Sequence, residues 1–325
     1  MVSLNSTYGG DSKKILITGG AGFIGSNLVE RLIDNNQITV IDNLSSPAQD
    51  KFIKVFEKKD NFRLIRKDVN KDGSFDSLGK FDLVVHLAAN PNVSEGYLNP
   101  EISFNDINGT KNLLNFMKKT GNKNLIFASS SVVYGEKKQL PIKEDKGPYE
   151  PISAYGAYKL ASEGMITAYS HYYGLKASIF RFANVVGKNQ THGVIMDFIR
   201  KLNKNGNRLD ILGDGTQKKS YIHVSDCISA ILFLNYKINK TSIINLGNRN
   251  STSVMTIAKM VSRQFGKPKI NYRFIKTPEG RGWKGDVKRI ELDTKKAEKL
   301  GWKNEYSSNE AIKIAISQII PQMSL

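Results

Sequence analysis

The chain has 325 residues, 40% of them apolar and 24% charged, the composition of one large or two modest globular domains. One cysteine, Cys227, excludes an internal disulfide and fits a reducing cytoplasm, and no stretch reaches the roughly 20 apolar residues of a membrane span. The net charge of +18 is carried by lysines spread along the sequence, which reads first as solvated surface; the anion it would otherwise attract is a small one rather than a nucleic acid or a membrane surface.

Residues 1–13 are polar and Gly/Ser-rich with no apolar h-region, and read as a flexible extension rather than a secretion signal. Residues 15–18 predict a buried strand running into a turn at Gly19-Gly20. Helical spacing follows over 23–34, with Phe23, Leu28, Leu32 and Ile33 apolar. Residues 37–41, 63–66 and 83–89 predict three more strands; the last is almost wholly apolar, as in a strand covered on both faces. Helices are predicted over 102–120 and 154–173, and strands over 125–129 and 177–182. Strands alternating with helices of this length imply a parallel α/β sheet. After Asn184 the alternation loosens, so the domain boundary is topological rather than a linker.

Gly19, Gly22 and Gly25 stand at a G-x-x-G-x-x-G spacing between a predicted strand and a predicted helix. The first glycine permits a tight turn, the second a close approach of backbone to pyrophosphate at the helix N-terminus, and the third close helix–strand packing. In that context the pattern predicts a dinucleotide site, with Phe23 and Ile24 opening the helix. Asp42 ends the second strand about 20 residues on, where a carboxylate accepts from ribose hydroxyls and repels a 2′-phosphate. The next residue is Asn43, with no cation following at once, which selects NAD over NADP. Asp68 and Val69, ending the third strand, are candidates to meet the adenine.

Tyr155 and Lys159 form a Y-x-x-x-K pattern on one face of a predicted helix. A tyrosine with a pKa near 10 is a poor base at neutral pH, and a neighbouring ammonium together with a bound cationic ring would favour the phenolate. Ser129, Ser130 and Ser131 follow a predicted strand whose C-terminal end faces the ligand crevice of a parallel sheet.

These residues resemble the extended short-chain dehydrogenase/reductases, and within them the NAD-dependent nucleotide-sugar epimerases and dehydratases, with UDP-glucose 4-epimerases nearest. The likeness runs from Lys14 to about Trp302. It implies a Rossmann-type doubly wound parallel sheet over 14–183, with segments near 221–250 returning to it. A smaller mixed α/β domain for the nucleotide-sugar would occupy mainly 184–325. The family's H-x-A-A matches His86 to Ala89, placing the backbone of Leu87, Ala88 and Ala89 along the cofactor, and Asn105 is assigned to the N-x-x-G-T pattern that ends at Gly109-Thr110. The resemblance makes Ser130 the catalytic serine beside Tyr155 and Lys159, all three meeting substrate or cofactor. Asn184 takes the diphosphate position, Val194 the nucleotide side, and Lys219 the place of a phosphate arginine. The family's R-x-G-D is stretched here to Arg281-Gly282-Trp283-Lys284-Gly285-Asp286, which leaves Arg281 and Lys284 as alternatives at the diphosphate. His86 and His223 read as structural, and no metal site is expected.

Family dehydratases place an Asp-Glu pair just after the catalytic serine or threonine, whereas this chain has Ser131-Val132-Val133. The resemblance therefore implies 4-epimerisation through a transient 4-keto sugar, with UDP-glucose and UDP-galactose as leading substrates. UDP-N-acetylhexosamines and UDP-glucuronate remain alternatives; Ile290 stands where some relatives carry a bulky Tyr that gates N-acetyl sugars. A protein of this fold binding NAD or RNA without turnover is a remote alternative, since Ser130, Tyr155 and Lys159 are all present. A homodimer through the helices at 102–120 and 154–173 is also implied.

Overall fold

The computed structural model describes residues 12–90, 92–204 and 206–323. The chain opens with β1 (Lys14–Thr18), α1 (Phe23–Leu32), β2 (Gln37–Asp42), α2 (Pro47–Lys54), β3 (Phe62–Arg66) and β4 (Leu83–His86). Then come α3 (Glu101–Phe104), α4 (Asp106–Thr120), β5 (Asn124–Ser130), α5 (Ala154–Tyr173) and β6 (Lys176–Phe182). The second part comprises β7 (Asn184–Val186), α6 (Val194–Lys204), β8 (Arg208–Leu212), β9 (Lys218–His223), α7 (Val224–Lys237), β10 (Ser242–Leu246), β11 (Ser251–Ser253) and α8 (Val254–Gln264). It ends with β12 (Asn271–Ile275), β13 (Arg289–Ile290), α9 (Lys295–Lys299) and α10 (Ser308–Met323).

Seven strands form one sheet in the order β10-β6-β5-β4-β1-β2-β3, every pair parallel. The strand order reverses between β1 and β4, and a ligand crevice opens at the carboxyl ends of strands at such a switch point. All four residues of β4 are buried, because helices cover both faces of the sheet. One face packs on α1 and α7 through Leu28, Ile38, Val40 and Ile231; the other packs on α4 and α5 through Leu113, Leu114 and Ile166.

Three expectations shift by short segments. The fourth strand stops at His86 rather than 89, because residues 87–90 turn into the crevice; the Leu87 amide still donates to the Thr18 carbonyl at 3.0 Å. The predicted helix over 102–120 is two pieces meeting at Asn105. Of the segments near 221–250, α7 and β10 join the first sheet, whereas Tyr221 to His223 lie in β9, which pairs with β7, β11 and β13 in a separate small sheet. A further pair, β8 and β12, sits beside α6, α8 and α10 around a second apolar core. The expected flexible extension falls almost wholly on residues outside those described.

Candidate active site

The turn after β1 is built by glycine. Gly19 has φ +69°, and a Cβ on it would lie 2.6 Å from the Ala88 amide nitrogen, so this turn and the 87–90 segment touch backbone to backbone. A Cβ at Gly25 would collide with the Gly19 carbonyl oxygen. Gly22 caps α1 with no side-chain hydrogen bond, which leaves first-turn amides facing the crevice. Phe23 and Ile24 are half-buried at that opening. Asp42 is 4% exposed and accepts from the amides of Ala21 at 3.0 Å and Leu44 at 2.9 Å. Burial raises its pKa above the usual carboxylate value, and the two amides pull the other way. Asn43 is exposed and turned onto its own chain, accepting from Ser45 at 3.2 Å. Asp68 accepts from the Asn70 amide at 2.9 Å and Val69 is buried beside it. The cradle, the bare helix end and the carboxylate fit an adenine dinucleotide.

Ser130 ends β5, and its Oγ accepts from the Val132 amide at 3.4 Å, opening a 3-10 turn over Ser131–Tyr134. Ser153 caps α5 by accepting from the Gly156 amide at 3.2 Å. Gly156 lets that helix meet the 3-10 turn, since a Cβ there would lie 2.9 Å from the Val132 carbonyl oxygen. The first turn of α5, which carries Tyr155, is thereby set against the segment that follows Ser130. Lys159 is 1% exposed; its Nζ donates to the Ala128 carbonyl at 2.6 Å and lies 5.6 Å from the centre of the Tyr155 ring.

Burial pulls the Lys159 ammonium down to about 8, against the opposing charges of Asp106 and Glu163. Burial, and then the charge of Asp106, hold the Tyr155 hydroxyl above its ordinary range. The expectation that Lys159 and a bound cationic ring together favour the phenolate concerns the cofactor-bound site; in the protein alone Lys159 is engaged by a backbone carbonyl, and burial dominates at Tyr155. Beneath the pair, the His86 Nδ1 meets Thr18 Oγ1 at 2.6 Å, and its Nε2 meets Thr110 Oγ1 at 3.3 Å. Burial and Lys159 push its pKa to about 3, so it is a neutral, satisfied core histidine.

Of the substrate-side candidates, Lys219, Arg281 and Asp286 come together. The Lys219 Nζ pairs with Asp286 Oδ1 at 2.5 Å. The Arg281 Nη1 donates to the Asp286 carbonyl at 2.7 Å and to Glu136 Oε1 at 2.6 Å. Glu136, just beyond the Ser130–Gly135 segment, thus ties this cluster to the end of β5. Lys284 is exposed and sits 5.3 Å from the centre of the Tyr97 ring, apart from that cluster. Asn184 opens β7, half-buried and in register with Tyr221, and Val194 opens α6, half-buried. His223 caps α7, bonded to Ser225 and Gln318, as the structural reading expects.

Ile290, aligned with the gating Tyr of some relatives, is 3% exposed and packs in an apolar cluster with Val133, Tyr134 and Leu292. Asn105 is exposed between α3 and α4. Counted back from Gly109-Thr110, the N-x-x-G-T position is residue 106, an aspartate that is 7% exposed. Asp106 and Glu136 were missed because neither stands in a motif as an acid, although the spacing to Gly109 marks the first.

The NAD dependent epimerase/dehydratase family profile matches residues 15–247. The crystal structure of a UDP-galactose 4-epimerase is 36% identical with a TM-score of 0.85, covering 95% of this chain and 99% of that one. A UDP-N-acetylglucosamine 4-epimerase from Methanobrevibacter ruminantium, solved with UDP-N-acetylmuramic acid, is 29% identical with a TM-score of 0.85, covering 97% and 100%. A UDP-glucuronic acid 4-epimerase mutant from Bacillus cereus, solved with NAD and a fluorinated substrate analogue, is also 29% identical at a TM-score of 0.85, covering 95% and 99%.

Proposed function

Because the chain belongs to the NAD dependent epimerase/dehydratase family, we propose that it interconverts UDP-glucose and UDP-galactose by inverting carbon 4 of the sugar. Its relatives include a UDP-glucose 4-epimerase and a UDP-glucuronate 4-epimerase, beside trifunctional enzymes that include a UDP-glucose 4,6-dehydratase activity. The observation that carries the choice of epimerisation is the catalytic strand end. Ser130 ends β5 while Tyr155 and Lys159 stand on the helix whose Gly156 packs against the turn that follows, and residues 131–135 supply no carboxylate for elimination of water. The next acid along the chain, Glu136, is held by Arg281. The choice of a neutral hexose rests on likeness to the UDP-galactose 4-epimerase.

In this reading Tyr155 takes the proton of the sugar 4-hydroxyl and later returns it. Ser130 hydrogen-bonds the same oxygen, and Lys159 holds a positive charge beneath the pair. Gly19, Gly22, Gly25, Asp42 and the 87–89 backbone hold NAD, with Asp68 and Val69 at the adenine. NAD, when bound, supplies a positive charge and the acceptor for the C4 hydrogen. Lys219 and Arg281 meet the diphosphate, and Arg281 is preferred to Lys284 because it already shares the Lys219–Asp286 cluster. Asn184 and Val194 complete the nucleotide side.

The test is product analysis of purified protein given UDP-galactose, UDP-GalNAc or UDP-glucuronate separately, without added NAD. Formation of UDP-glucose from UDP-galactose is expected. Turnover of only another sugar would keep the mechanism and overturn the substrate. No turnover of any, even with NAD supplied, would overturn the epimerase reading.

A further inference from the structure

Lys159 carries its amine into a place with few polar partners. Among the described residues its Nζ makes one hydrogen bond, to the Ala128 carbonyl at 2.6 Å, although an ammonium offers three donors, and the residue is 1% exposed. It makes no ion pair among those residues. Glu163, one turn further along α5, is paired with Arg181 at 2.6 Å and accepts from Ser129. Asp106, at the start of α4, accepts from the Asn90 amide at 2.7 Å and the Asn70 side chain at 3.1 Å. The charges of both reach Lys159 without a contact. His86, on β4, is neutral. Burial of a cation so placed favours loss of its proton.

Aromatic rings stand on the remaining sides. The Nζ lies 4.9 Å from the centre of the Phe127 ring, 4.9 Å from that of Tyr158 and 5.6 Å from that of Tyr155. A ring face carries negative potential and attracts an ammonium within about 6 Å of its centre, most strongly where water is excluded. Phe127 and Tyr158 are both 0% exposed. The two rings come from different elements. Phe127, on β5, precedes the residue whose carbonyl accepts from Lys159, and Tyr158 precedes Lys159 itself on α5. Tyr158 meets Tyr155 edge to face at 5.6 Å. Its hydroxyl is buried with no hydrogen-bond partner, so what Tyr158 gives this arrangement is its ring.

We propose that Phe127 and Tyr158 are positioning residues for Lys159: their ring faces, with the Ala128 carbonyl, form a dry seat that holds its side chain as an ammonium beneath Tyr155. This rests on Lys159 working beside Tyr155. The rings attract the charged amine, and a neutral amine gains nothing comparable from them. The seat therefore has a pH signature that core packing lacks. Burial brings Lys159 down to about 8 in the folded protein, and removing a ring lowers it further, by about one unit. At lower pH the folded variant then carries a costlier cation. Above about pH 9 the folded amine is neutral with or without the ring, and the extra cost disappears.

The experiment is a double-mutant cycle by urea unfolding of the full-length protein, with bound NAD matched across variants, at pH 6 and pH 9.5. Phe127→Leu and Tyr158→Leu are each made with Lys159 and with Lys159→Met. At pH 6 each ring loss is expected to shift the unfolding equilibrium about tenfold more beside Lys159 than beside the methionine, and at pH 9.5 that excess vanishes. Tyr158→Phe, which keeps the ring and drops the unpartnered hydroxyl, shows no excess at either pH. Methionine at position 127 or 158 serves where leucine does not fold. An excess that is absent at pH 6, or equal at the two pH values, overturns the proposal. Turnover by Lys159→Met at the parent's rate overturns the pair on which it rests, and is told apart because the cycle needs no turnover.

Discussion

The Nζ of Lys159 donates to the carbonyl oxygen of Ala128 across 2.6 Å, joining the buried face of α5 to the strand that delivers Ser130. That bond holds a cation 1% exposed under a phenol that burial alone would keep protonated. The arrangement costs stability, and the cost can be measured.

Burial pulls Lys159 down to about 8, whereas an unfolded lysine titrates near 10.4. Between those limits the unfolded chain binds more protons, so stability rises as pH climbs through this window. Below pH 8 the buried ammonium costs roughly 3 kcal/mol, less whatever Asp106 loses when its partner goes. Lys159→Met therefore raises the melting temperature at pH 7 while cutting turnover at least about 100-fold. Calorimetry and initial rates check both halves; a variant less stable than the parent at pH 7 contradicts the account.

Gly25 has no room for a side chain against the Gly19 carbonyl. Gly25→Ala is expected to lose about 1–3 kcal/mol in urea unfolding and to shed NAD on gel filtration. Gly79 has nothing within 4 Å of a built Cβ, and Gly79→Ala should change neither. Equal behaviour of the two variants would remove close packing as the reason for the third glycine.

One side of α5 carries small residues at 157, 161, 164 and 168, with Tyr172 75% exposed at its end. Small residues there let a second helix approach closely. The expected homodimer would bury this side together with α4, which α5 already meets through a 2.6 Å hydrogen bond from Tyr169 to Asn115. Light scattering should give twice the chain mass for the parent and a monomer for Gly164→Arg. A parent that is monomeric at assay concentrations contradicts the dimer.

Much of this was legible in the residues. The run of strands to β6 and the whole of α5 follow from apolar periodicity, and the glycine turn, Asp42, Tyr155 and Lys159 from spacing. What escaped depended on tertiary contact. β9 reads like the start of a returning segment because Tyr221, Ile222 and His223 are buried, yet burial does not say which sheet buries them. Asn105 drew attention as the residue type a motif wants, while the fold buries its neighbour Asp106 and exposes it. The burial that holds the Tyr155 hydroxyl up is likewise a tertiary property that sequence does not measure.

The most direct test compares the parent and Tyr155→Phe, matched for NAD content and melting temperature, in converting UDP-galactose to UDP-glucose without added cofactor. The account predicts steady formation of UDP-glucose by the parent and a fall of at least about 100-fold in the variant. Undiminished conversion by Tyr155→Phe would show that the proton leaves by another group and would contradict the central claim.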